Sequence, residues 1–129
     1  MLQALFILYV RDQTRSRDFY AAALDRAPAL DVPGMTEFPL ADGARLGLMP
    51  EAGVRRLLGD ALSDPAAAGG APRAELYLWV SHPADAHRRA LDAGARELSP
   101  PAPRDWGDEV AYCLDPDGHV LAFARREDD

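Results

Sequence analysis

Glu75, Tyr77 and Trp79 alternate with three aliphatic residues along Glu75-Leu76-Tyr77-Leu78-Trp79-Val80. In a strand they share one face, and Leu76, Leu78 and Val80 share the other. The aliphatic face suits a packed helix, whereas two rings and a carboxylate suit a pocket for a polar or cationic guest. Tyr77 and Trp79 can stack a planar ring with offset or cation–π geometry, each contributing about 0.5–2 kcal/mol. Packing in a core is the other use of the same rings. A desolvated Glu75 either holds a cation or takes a raised pKa, and a bond to Arg45 is the alternative. Trp106, beside Gly107 in a proline-rich stretch, either closes over such a pocket or enters a contact with a second copy of the chain.

The remaining reactive side chains offer less. His82 and His87 fall at the start of a helix and within it, and His119 falls on the helix side or at the strand end, where structural or solvated roles prevail. Cys113, if it faces the pocket, can meet an electrophile, but a lone strand cysteine is more often a small buried hydrophobe. No Ser-His-Asp pattern, phosphate loop or metal-spaced His/Cys cluster is present.

The elements that position these residues follow from periodicity. Leu5 to Val10 reads as a strand. Thr14 or Ser16 caps a short amphipathic helix that ends before Pro28. Pro33-Gly34 marks a turn, and Thr36 to Met49 reads as a hairpin about Asp42-Gly43. Residues 51–73 contain one short helix, Val54 to Leu62, and then a mobile Pro/Ala/Gly linker. Glu75 to Val80 is followed by a helix opened by Ser81-His82-Pro83 and ending near Gly94. Val110 to Leu114 and Val120 to Ala124 form a second hairpin about Asp115-Pro116-Asp117-Gly118. Strand, helix and hairpin thus recur at an offset of about 70 residues.

Bulk properties narrow the function classes. The 129 residues, 48% hydrophobic and 27% charged, fit a single domain, 1–129, made of module one (1–50), a linker (51–73) and module two (74–127). A net charge of -7 repels phosphate backbones and excludes nucleic acid as an expected partner, while attracting cations. The single cysteine rules out an internal disulfide framework. Met1 to Val10 has neither a basic n-region nor an adequate apolar core, and no stretch is long enough to span a membrane. A soluble cytoplasmic protein is expected.

Tyr9-Val10-Arg11-Asp12, Ser16-Arg17-Asp18-Phe19-Tyr20 and Asp115-Pro116-Asp117-Gly118-His119 resemble the vicinal oxygen chelate superfamily. That superfamily includes glyoxalases, ring-cleaving dioxygenases, fosfomycin-resistance enzymes and bleomycin-resistance proteins. The resemblance covers nearly the whole chain and implies an α+β fold of two tandem βαβββ modules, with strands curled into a cup-shaped mixed sheet. It also implies homodimers, and a metal or ligand inside the cup. In metal-dependent members His and Glu ligands come from the first and last strands of each module, which corresponds here to Leu5, Gly47, Glu75 and Ala122. Only Glu75 has a donor, against the roughly three or four protein ligands such metals need.

No metal or cofactor is therefore expected, and the resemblance points to the bleomycin-resistance branch, whose metal-free cup sequesters a drug. Strand parity turns Leu5, Ile7, Tyr9, Arg45, Met49, Glu75, Tyr77, Trp79, Val120, Ala122 and Ala124 inward. Four-residue hairpin loops would place Phe38 opposite Arg45 and Cys113 opposite Val120, adding both to the cup. The expected ligand-binding residues are Tyr9, Phe38, Arg45, Met49, Glu75, Tyr77, Trp79, Trp106 and Cys113, with no catalytic residue. The expected function is sequestration of a planar aromatic small molecule, cationic compounds and antibiotics included, by a homodimer with neither nucleic-acid nor membrane partners. The alternatives are a glyoxalase-type lyase or isomerase or a dioxygenase with a non-standard metal site around Glu75, and an interaction module with a collapsed cup.

Overall fold

The structure, a computed structural model, describes residues 3–128. Its strands are β1 (Ala4–Val10), β2 (Leu30–Val32), β3 (Met35–Ala41), β4 (Ala44–Pro50), β5 (Glu75–Trp79), β6 (Arg96–Pro103), β7 (Asp108–Leu114) and β8 (Val120–Arg126). Its helices are α1 (Gln13–Ala23), α2 (Glu51–Leu58) and α3 (Pro83–Asp92). The chain divides into two compact units. The first takes the described residues up to Ala21 and Asp25–Gly69, and the second takes Ala22–Leu24 and the described residues from Gly70 onward. Among the described residues no helix is long and apolar enough to cross a membrane.

The first unit holds a four-stranded sheet in the order β1-β4-β3-β2, with β1 parallel to β4 and the other pairs antiparallel. Val10, Phe38, Leu46 and Leu48 are fully buried in it. Asp12, rather than Thr14 or Ser16, caps α1, its Oδ1 accepting the Arg15 N–H at 3.0 Å. Gln13 pins this end of α1 to the β2–β3 turn: its amide donates to Val32 O and Thr36 Oγ1 at 2.8 and 2.9 Å and accepts from Gly34 N at 2.9 Å. Residues 51–68, expected as a linker with a helix over 54–62, carry α2 and two 3-10 turns, Gly59–Ala61 and Pro65–Ala68. Val54 anchors the segment by burial, and Asp64 caps the second turn by accepting from Ala66 N.

The second unit repeats the plan as β5-β8-β7-β6, again with the outer pair β5–β8 parallel. Each unit therefore has the βαβββ order, and the chain is α+β with two mixed sheets. β2 and β6 carry no clear strand signal in the sequence. β6 tolerates Pro100, Pro101 and Pro103 because it lies at a sheet edge, where a missing N–H breaks no central ladder. α3 packs on β6, β7 and β8 and buries Ala86, His87 and Ala90.

Two register details correct the expected cup. Phe38 lies opposite Leu46, not Arg45, because the β3–β4 ladder shifts between Pro39 and Ala41. Cys113 lies opposite Leu121, not Val120. The β7–β8 turn is a three-residue loop, Pro116-Asp117-Gly118, followed by a bulge. Gly118 N donates to Asp115 O at 3.0 Å, Asp115 N donates to His119 O at 2.9 Å, and Gly118 has φ +91°. His119 thus pairs with Asp115 to close the turn, and a loop one residue shorter than the expected four reverses the face of every β7 side chain. Phe38 and Cys113 are fully buried on the face shared with Leu46 and Leu121. Gly118 is also needed for space, since a Cβ there would sit 2.5 Å from Gly70 O.

Candidate functional site

The corrected register assembles the candidate site within the second unit. Across β5, β8 and β7, Tyr77, Ala122 and Tyr112 form one row and Trp79, Ala124 and Val110 the next, with Arg126 opposite Asp108 beyond them. The small side chains of Ala122 and Ala124, with Val110, make a buried floor against which Tyr77 and Tyr112 pack. Tyr77 and Trp79 meet edge to face, their ring centroids 5.1 Å apart.

Two aromatic polar tips converge on Asp108, and a third is linked to it through Tyr77. The Tyr77 hydroxyl donates to Asp108 Oδ2 at 2.6 Å, and the Trp79 indole N–H donates to the same oxygen at 3.2 Å. The Trp106 N–H donates to the Tyr77 hydroxyl at 3.1 Å. Trp106 is aimed by the β6–β7 loop Asp105-Trp106-Gly107, closed by Gly107 N donating to Arg104 O at 3.1 Å, with Gly107 at φ +96°. Although both N–H groups are engaged, Trp79 and Trp106 stay 53% and 59% exposed. The Arg126 guanidinium lies 4.2 Å over the Trp79 ring.

Arg104 braces the adjoining side. Its guanidinium donates to Val110 O at 2.8 Å and Ser99 Oγ at 2.9 Å while standing 5.3 Å over the Tyr112 ring. Burial, with the neighbouring Asp108 carboxylate, raises the Tyr77 pKa, and burial followed by Glu75 raises that of Tyr112. Both phenols are therefore neutral donors rather than bases near neutral pH. A depression of about 460 Å³ lined by Trp79, Val80, Ser81, His82 and Arg125 opens at the end of β5.

The other expected residues are distributed as follows. Glu75 is exposed at the start of β5. Tyr9 and Met49 are register partners in the first unit and share a face with Arg45. Arg45 pairs with Glu37, its Nη1 donating to Oε1 at 2.9 Å. Phe38 and Cys113 are on the opposite faces of their sheets. The buried Cys113 thiol has its pKa pushed up to about 12, chiefly by desolvation, which makes it a poor nucleophile. Buried His87 bonds Glu97 at 2.9 Å, and the His119 backbone N–H donates to Asp115 Oδ1. Glu37, Asp108, Tyr112 and Arg126 were missed. Parity on a bulged hairpin would have signalled Tyr112, and the Trp106-Gly107 turn would have signalled Asp108 just beyond it.

A resident metal does not fit the positions the resemblance marks. Leu5, Gly47 and Ala122 have no donor atom. A Cβ at Gly47 would meet Leu5 Cδ1 at 3.1 Å and Met35 Sδ at 3.2 Å, so apolar side chains crowd this position. Among the described residues no three His, Cys, Asp or Glu side chains gather as a metal set.

A family model for a glyoxalase-like domain matches residues 5–124, and the chain belongs to that family. An uncharacterized protein of Mycobacterium bovis is 30% identical over 115 residues, covering 87% of this chain and 75% of that relative. A glyoxalase-related enzyme from Fulvimarina pelagi superposes with a TM-score of 0.81 at 24% identity, over 95% of this chain and 86% of the other. A glyoxalase/bleomycin resistance protein/dioxygenase family enzyme from Burkholderia phytofirmans PsJN gives 0.80 at 15% identity, over 98% and 99%. The fold is that of the vicinal oxygen chelate superfamily.

Proposed function

We propose that the chain binds a planar aromatic small molecule on the Tyr77/Trp79 face and sequesters it unchanged, without a resident metal, as bleomycin-resistance proteins do with a drug. The observation that carries this reading is the pair of indoles whose N–H groups are tied internally while about half of each residue stays open. Rings fixed before the guest arrives lose little freedom on stacking. The absence of donor atoms at Leu5, Gly47 and Ala122 supports binding over metal chemistry. Leu5, Ile7 and Tyr9, apolar and exposed on one face of β1, support a homodimer, since such patches mark contact surfaces. The proposed setting is the cytoplasm.

Incubation with a panel of planar aromatic compounds, antibiotics included, tests the reading directly. Bound compounds are separated by gel filtration, released by denaturation and weighed by mass spectrometry. At least one should be retained and recovered unchanged. Retention of none, or recovery of a product, contradicts sequestration.

A further inference from the structure

On the reading that this face binds a planar guest, we propose that Asp108, rather than Glu75, is the charge-selecting residue, and that it selects an aromatic guest carrying a protonated ring or amine nitrogen. Two neutral donors, the Tyr77 hydroxyl and the Trp79 N–H, converge on Oδ2. They hold the carboxylate in one orientation without cancelling its charge. Among the described residues Oδ1 accepts no hydrogen bond, and Asp108 forms no ion pair.

Arg126, the register partner of Asp108, sits over the Trp79 ring. That placement shows that the indole face accepts a planar cation. Because the Trp79 N–H points at Asp108, the carboxylate lies at the rim of the ring. A guest ring that takes the place of Arg126 on Trp79 brings its own edge to the same place, where a guest N–H reaches Oδ1. Glu75 has neither advantage. It is exposed, no aromatic donor among the described residues orients it, and water and salt screen it.

The test is isothermal titration calorimetry of the full chain with two tricyclic probes, the cation proflavine and the neutral acridone. Wild type should bind proflavine about tenfold or more tighter than acridone. Asp108→Asn keeps an acceptor for Tyr77 and Trp79, and it should remove most of that preference while leaving acridone within about twofold. Glu75→Gln should leave both probes within about twofold. Equal wild-type affinity for the two probes overturns the inference and leaves sequestration standing, and it needs no variant to fold. So does loss of the preference in Glu75→Gln, or its survival in Asp108→Asn. Binding of neither probe by wild type overturns the inference together with the reading beneath it.

Discussion

The Tyr77 hydroxyl joins the site, accepting from Trp106 and donating to Asp108 in the same arrangement. Tyr77→Phe deletes both bonds while keeping the ring and its packing on Ala122. Each bond is worth about 0.5–1.5 kcal/mol net, but the exposed Trp106 N–H can turn to water, so unfolding free energy should fall by about 1 kcal/mol. Ligand affinity should fall several-fold, because Trp106 is no longer held in place before binding. Trp79→Ala should behave differently. With the residue half exposed, its removal should cost less than about 1.5 kcal/mol in urea unfolding yet lower affinity about tenfold or more. If Trp79→Ala abolishes folding while Tyr77→Phe binds normally, Trp79 is a core residue and the site is misplaced.

At the scale of strands and helices, the alternation in Glu75–Trp79 was legible because each face carries a different kind of side chain. The two helices and hairpins were legible from apolar spacing, prolines and Asp-Gly turns, although the cap of α1 is Asp12 rather than Thr14 or Ser16. Turn geometry was not. The bulge after Gly118 and the shift at Pro39–Ala41 depend on local hydrogen bonds that the residue pattern does not encode, and each reverses a face. Phe38 and Cys113 were therefore assigned to the pocket, while Tyr112 and Asp108 went unrecognised. β2 and β6 escaped notice because one is only three residues long and the other is interrupted by proline. The corrected register has a chemical consequence at Cys113. With a thiol pKa raised from 9.0 to about 12, folding is favoured fully below about pH 9 and that contribution is lost as pH rises toward 12. In native protein a disulfide reagent should modify Cys113 only at the rate of unfolding, and Cys113→Ala should flatten part of the alkaline fall in stability. Rapid stoichiometric labelling of the native chain at neutral pH would place the thiol back on an open face.

For the molecule as a whole, the second βαβββ unit contains both tryptophans of the chain, and both belong to one hydrogen-bonded cluster. Intrinsic tryptophan fluorescence is consequently a report from the candidate site. The first unit contributes a face of Leu5, Ile7, Tyr9 and Met49 with a paired Arg45–Glu37 and no tryptophan, so internal repetition of the fold has not repeated the chemistry. The net charge of -7 favours the approach of cations at low salt without choosing among them. Membership of the glyoxalase-like family leaves open the choice between metal chemistry and plain binding, and one titration addresses it. Protein stripped with a chelator is titrated with planar aromatic compounds while tryptophan emission is followed, and the titration is repeated after divalent metal is restored. Sequestration predicts saturable quenching with the same midpoint in both. Quenching that appears only with metal, or tightly held stoichiometric metal in the purified protein, would contradict it.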